Sequence, residues 1–190
     1  LNHSIQKRMK KEEREQQILE AARNVFIEKG YRGATTVEIA QRAGISEVTL
    51  FRYFSSKQDI FMKSIEPILT ETLQEVIQTS NRLSSKERIK QLLQDRITLI
   101  SKHHRLIKMV LMEDQIDDEL PSVHLISKMI RLLKQAISEI QVQKEKEEVI
   151  LRLVMGMILT FLFMPENDKQ KVNQIIAQMV DSICIENCKE

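Results

Sequence analysis

The 190-residue chain reads as an all-α protein: an N-terminal three-helix head followed by a C-terminal helical bundle. Three observations predict it. Only 4 Gly and 3 Pro punctuate the chain, while Leu, Ile, Lys, Glu and Gln are abundant, a composition that favours long helices with few turns. Apolar residues recur at i, i+3, i+4 and i+7 in segment after segment, the period of a helix rather than of a strand. The charge is divided as well: residues 1–65 carry 12 Lys/Arg against 8 Asp/Glu, net +4, and residues 66–190 carry 17 against 19, net −2. The overall +2 thus conceals a basic N-terminal third. So small an asymmetry fits a solvated surface unless a nucleic-acid motif coincides with it.

Taken in order, residues 1–11 (LNHSIQKRMKK) have no apolar stripe and are basic, so they read as an arm whose Lys7, Arg8, Lys10 and Lys11 either follow DNA phosphates or are simply solvated. Glu12 to Lys29 forms a lead-in helix with Ile18, Ala21, Ala22, Val25 and Phe26 on one face, and Gly30 ends it. Residues 35–57, TTVEIAQRAGISEVTLFRYFSSK, have the layout of a helix-turn-helix. Thr35 or Thr36 can cap a short helix from Val37 to Ala43, Gly44 can take the left-handed conformation, and Ser46 can cap a second helix from Glu47 to Phe54. At 100° per residue, Leu50 and Phe54 share a face that closes on Ile39, Ala40, Ala43 and Ile45, which leaves Val48 and Arg52 facing outward.

A fourth helix from Ser56 or Lys57 to about Thr79 carries Phe61, Ile65, Ile68, Leu69, Leu73, Val76 and Ile77, with Pro67 as a kink. It connects head to body. The body opens on a capping box, Ser84 to Glu87, before Ile89, Leu92, Leu93, Ile97 and Ile100. A shorter stretch, Leu106 to Met112, leads into an acidic surface loop at 113–121. Pro121 then starts a helix bearing Val123, Ile126, Ile130, Leu133, Ile137 and Ile140. After the polar break 141–148 comes a helix to Met164, a turn at Pro165 to Asn167, and a last helix capped by Asp168.

The penultimate helix is apolar nearly all round, and Gly156 in its middle costs roughly 1 kcal/mol of helix stability relative to Ala. Burial within the chain explains the first fact. Close approach of a second backbone explains both, and Leu151, Met155, Gly156, Leu159, Ile176, Met179 and Ile183 are the candidate dimer interface, a four-helix bundle on a two-fold axis.

Residues 35–57 also resemble, as T-T-x-x-I-A-x-x-A-G-I-S-x-x-T-L-x-R-Y-F-x-S-K, the DNA-binding segment of TetR-type transcriptional repressors. The resemblance covers about the first third of the chain; the rest is alike only in being helical and of suitable length. The family often has Gly where this chain has Val48 and Tyr where it has Phe51, which lacks a hydroxyl. The resemblance implies a DNA-binding head at residues 1–56 and a ligand-binding, dimerising body at 57–190. It also implies a homodimeric, ligand-responsive repressor on double-stranded DNA with a palindromic operator.

Chemistry assigns the recognition residues individually. Val48 can meet a thymine methyl, and Arg52 can reach guanine O6 and N7 or a phosphate. Glu47 either complements the helix dipole or accepts from cytosine N4. Thr36, Thr49, Tyr53 and Lys57 have the reach for phosphates, as the matching family positions do, and Phe51 flanks the same face. The effector is expected to be small and largely apolar, with Met109, Met112, Met129, Met157 and Phe161 lining its pocket or forming plain core.

No catalytic residue, cofactor or metal is expected: the chain has no Gly-rich phosphate loop, no Gly-x-Ser-x-Gly and no Cys/His cluster at metal spacing. His103 and His104 with Glu113 and Asp114 are the nearest approach to one, but adjacent histidines on a helix point about 100° apart. Cys184 and Cys188 read as free thiols rather than a disulfide or zinc pair. The run from Val149 to Pro165 contains Arg152 and falls short of the roughly 20 apolar residues of a membrane span, and no secretory segment is visible. A cytoplasmic protein with no membrane partner is expected. Two other classes, a helical scaffold or adaptor and a helical-bundle enzyme with an unrecognised site, share the composition.

Overall fold

The computed structural model describes residues 11–78, 83–112, 121–140 and 143–184. Lys7, Arg8, Lys10, the acidic stretch 113–120 and Cys188 lie outside them, and so do the side chains of Ile183 and Cys184. Among the described residues the regular elements are α1 (Lys11–Gly33), α2 (Thr36–Arg42), α3 (Glu47–Leu50), α4 (Lys57–Gln78), α5 (Ser85–Met112), α6 (Pro121–Glu139), α7 (Glu147–Phe163) and α8 (Lys169–Cys184), with a 3₁₀ turn at Lys144–Lys146. The all-α expectation holds. Two compact units, Leu1–Glu66 and Pro67–Glu190, divide the chain inside α4.

In the head, the stripe read from the sequence is the buried one: Ile18, Ala21, Ala22, Val25 and Phe26, joined by Leu19. Gly30 adopts φ 70°, which breaks the regular helix as expected, although one more turn follows to Gly33. That turn swings Tyr31 beside Phe61 of α4, ring centroids 5.0 Å apart and nearly perpendicular, and Phe26 meets Phe61 edge-on at 5.0 Å. Edge-to-face contacts of this kind add to the burial of large rings.

In the body, an aliphatic core gathers Leu73 of α4, Ile89, Leu92, Leu93 and Ile97 of α5, Leu133, Ala136 and Ile137 of α6, Ile140 just beyond it, Ile150, Val154 and Phe161 of α7, and Ile176 and Val180 of α8. Polar ties reach across it. Ser84 and Glu87 form the expected capping box, Ser84 N–H donating to Glu87 at 2.9 Å and Glu87 N–H to Ser84 Oγ at 3.3 Å. Ser85 Oγ donates to Ile140 O at 2.8 Å, and Arg88 donates to Glu139 O, so the start of α5 is fastened to the end of α6. Gln94 links α5 to Asn173 of α8, 3.1 Å, and His104 Nε2 lies 2.8 Å from Leu162 O of α7. Asp168 caps α8 by accepting from Gln170 N–H at 2.8 Å, as its sequence position predicts.

Three local readings are revised. The stretches Ser84–Ile100 and Leu106–Met112 belong to one helix, α5, interrupted at His103 (φ −120°, ψ 27°). The recognition helix is α-helical only over Glu47–Leu50; Arg52 and Tyr53 then bond three residues back, to Thr49 and Leu50, because a β-branched and aromatic run holds regular helix weakly. Finally, α6 turns Leu125 fully inward while Val123, Ile126 and Ile130 are half-buried; which edge of a wide apolar stripe faces the core is decided by the neighbouring helices. No described helix is long and apolar enough to cross a membrane.

Candidate nucleic-acid interface

The helix-turn-helix is built by caps before it is built by packing. Thr35, not Thr36, caps α2: its hydroxyl accepts from Glu38 N–H at 3.2 Å while the Glu38 carboxylate accepts from Thr35 N–H at 3.2 Å. Glu38 also takes a hydrogen bond from Lys29. That bond, first among its causes, and the Thr35 contacts hold its carboxyl below the usual range. Gly44 sits at φ 66°, where a side chain is strained, and Ile45 N–H returns to Ala40 O at 3.0 Å. Ser46 caps α3 by accepting from Thr49 N–H at 3.2 Å. With the turn so fixed, Ile39, Ala40, Ala43, Leu50 and Phe54 are buried together.

Burying Leu50 and Phe54 dictates what faces outward. Val48 is 76% exposed, Phe51 47%, and Arg52 is exposed with no partner among the described residues. Thr49 and Tyr53 are half-buried at the edges of this face. Thr36 and Glu47 are bonded to one another, Thr36 Oγ1 donating to Glu47 Oε1 at 2.5 Å. Lys57 is turned inward, its Nζ donating to Ala34 O at 3.1 Å and lying 4.6 Å from the centre of the Tyr31 ring. The structure thus brings Val48, Phe51 and Arg52 together as an exposed set, and draws Thr36, Glu47 and Lys57 into contacts within the head. The sequence holds no sign of the Thr36–Glu47 bond, because it depends on how α2 and α3 cross.

In the body, Met157 and Phe161 are buried, Met129 packs against the core from its edge, Met109 is half-buried and Met112 is 63% exposed. Of the residues read as a dimer interface, Leu151 and Ile176 are buried in the chain's own core, Met155 and Met179 are half-buried, Gly156 and Leu159 are exposed, and the Ile183 side chain is outside the described residues. A Cβ at Gly156 would meet nothing within 4 Å. Beside it α7 also exposes Val149, Leu153 and Phe163, a set the sequence did not single out, since an all-round apolar helix does not tell which side its own chain covers. A cleft of about 390 Å³ lies between α5 and α8, with Gln94, Thr98, Asn167 and Lys169 at its rim and Ile97 and Ile176 at its floor. No described group of three His, Cys, Asp or Glu could hold a metal ion.

A buried-backed recognition segment on a three-helix head, joined in one chain to an all-helical body, has the build of a helix-turn-helix protein. Comparison with known proteins narrows the class. Residues 18–62 match the family model described as "Bacterial regulatory proteins, tetR family". The HTH-type transcriptional activator FasR of Mycolicibacterium smegmatis is 41% identical over 59 residues, 31% of this chain and 27% of the relative, so that match spans about a quarter of FasR. The HTH-type transcriptional regulator PksA of Bacillus subtilis is 26% identical over 97% of this chain and 96% of its own length. Among solved structures, the transcriptional regulator FadR of Bacillus subtilis in complex with stearoyl-CoA has a TM-score of 0.64 at 17% identity, covering 87% of this chain and 95% of that one. Residues 18–62 are thus similar to the DNA-binding segment of the tetR family of regulatory proteins, and the chain shares its all-α fold with the FadR structure.

Proposed function

We propose that this protein is a cytoplasmic homodimeric repressor that occupies a palindromic operator and releases it when a small, largely apolar molecule binds its body. In this reading residues 1–56 bind DNA and residues 57–190 bind ligand and dimerise. The observation that carries it is the exposure of Val48, Phe51 and Arg52 on a segment whose other side is wholly buried. Val48 and Phe51 offer apolar contact to thymine methyls, and Arg52 offers a bidentate fork to guanine O6 and N7. Thr49 and Tyr53 flank the groove with phosphate-reaching hydroxyls.

Dimerisation is supported by the exposed α7 face around Gly156, which a two-fold partner would cover. A pair of heads then meets two half-sites about one helical turn, roughly 34–36 Å, apart. For the effector, stearoyl-CoA in the FadR neighbour and a body core rich in Leu, Ile and Met together favour a long-chain acyl compound. Such a ligand acts by preferring the DNA-incompetent state, so it binds the operator-bound protein less tightly by the same factor that it weakens operator binding.

Selection of bound sequences from a random duplex pool tests the reading. A palindrome with half-sites about ten base pairs apart is expected; failure to enrich any sequence would remove it. Titration of acyl-CoA against free and operator-bound protein tests the effector, since equal affinities would mean that the ligand merely occupies the core. FasR is named an activator, and a reporter placed behind the selected operator decides the sign here: repression relieved by ligand is expected.

A further inference from the structure

We propose that Glu47 is a charge brake on the recognition face: tethered by Thr36, its carboxylate offsets Arg52 and repels backbone phosphates, so that DNA is held firmly only where base edges are also met. The inference rests on the DNA-binding reading above and adds to it a limit on sequence-independent affinity.

It begins with the Thr36–Glu47 bond. At 2.5 Å, the Thr36 hydroxyl donates its single hydrogen bond to Glu47, so Thr36 has no donor left for a phosphate. The bond also holds a carboxylate at the junction of α2 and α3, beside the segment that presents Val48, Phe51 and Arg52. Several other described cations of the head are engaged internally. Lys29 pairs with Glu38, and Arg42 grips both oxygens of Glu28 at 2.6 and 2.8 Å. Lys63 pairs with Asp59 at 3.2 Å, and Lys57 serves Ala34 O and the Tyr31 ring. Arg52 therefore meets DNA as an unpaired cation, and Glu47, five residues earlier, supplies one opposing charge.

The physical consequence falls on sequence-independent binding. Phosphate contacts supply nearly all non-specific affinity and carry no base information. A fixed anion at the rim subtracts the same electrostatic amount on every duplex, whereas the apolar contacts of Val48 and Phe51 and the fork of Arg52 reward only a matching half-site. Affinity is reduced everywhere, and discrimination is kept.

Binding of the full chain to its selected operator and to a random-sequence duplex, measured by fluorescence anisotropy across a salt series, tests this. The amide of E47Q keeps an acceptor oxygen for Thr36, so the substitution removes the charge and spares the tether. E47Q should bind random duplex about three- to tenfold more tightly at low salt, on the scale of one unit charge a few ångströms from a phosphate in a watery interface. Its salt slope should steepen by about one, and the operator should gain by the same factor, leaving the operator-to-random ratio and the preferred sequence unchanged. Unchanged or weaker random-duplex binding overturns the brake. An altered preference at one base pair per half-site also overturns it, by making Glu47 a base reader. T36V is the second arm: undiminished affinity for random duplex is expected, and uniform weakening on all sequences would show Thr36 to be a phosphate donor instead. If the unaltered protein shows no salt-dependent binding to either duplex, the DNA-binding reading itself fails, a result separate from any difference among the variants.

Discussion

In the head, three phenylalanines, Phe26, Phe54 and Phe61, are fully buried within a span of 36 residues, and every turn between the helices is set by a side-chain cap or a left-handed glycine. In the body, the largest fully buried side chains are aliphatic, and several of the polar ties that fasten the helices join residues more than fifty positions apart, such as Arg88 to Glu139 and His104 to Leu162. The head is specified locally and the body by long-range packing. A DNA-reading surface needs side chains fixed to within an ångström, which caps and short turns provide. Aliphatic and Met contacts, by contrast, readily accommodate rearrangement.

The largest test of this contrast is Phe54→Ala. Removing a buried ring should cost about 3–5 kcal/mol, and in a locally specified head the loss should abolish DNA binding while the helical signal of the body persists in denaturant titration. Coincident unfolding of both units would show that they are not separately specified. Next in size, Arg52→Ala should weaken operator binding by about 1–3 kcal/mol and relax preference at one base pair per half-site. Uniform weakening on all sequences would make Arg52 a phosphate contact.

Gly156→Ala comes third and can change sign. In a lone protomer the new methyl enters open space, so the helix should gain about 1 kcal/mol. If a partner's backbone lies against Gly156, the same methyl should instead push the protein toward monomer, as sedimentation equilibrium would report. The smallest effect is expected in acid. Hydrogen bonds from Lys29 to Glu38 in the head, and from the Ser84 hydroxyl to Glu87 in the body, hold both carboxyls below their ordinary values. Depressed carboxyls contribute stability that is present above the unfolded pKa of about 4.3 and is lost as pH falls through the lower folded value. Both side chains are exposed, so each contribution is small. Melting temperatures measured between pH 5 and pH 3 should fall less for Glu87→Gln than for the parent.

Much of this architecture was legible in the sequence. Gly30, Gly44, Ser46, Ser84 and Asp168 sit where punctuation residues act on their own neighbours, and the structure uses each as expected. The inward pair Leu50 and Phe54 and the outward pair Val48 and Arg52 follow from the helical period alone. Rotations set by distant partners were not legible. The choice of Leu125 over Ile126 on α6 and the burial of Leu151 and Ile176 beside the exposed Leu153 depend on where neighbouring helices lie. The engagement of Thr36 with Glu47 and of Lys57 with Ala34 depends on how the short helices cross. Propensity and pattern describe a residue's near neighbours in the chain, and these contacts lie beyond that range.

The interruption of α5 at His103 gives this 28-residue helix two halves. Hydrogen exchange is cooperative within an unbroken helix and loses that cooperativity where the ladder is disturbed. Amides of Ser85–Lys102, backed by Ile89, Leu92, Leu93 and Ile97, should therefore exchange as one slow group, while those from His104 onward exchange earlier and as a separate group. The distal half of α5 can then open while the proximal half, which carries the ties to α6 and α8, stays closed.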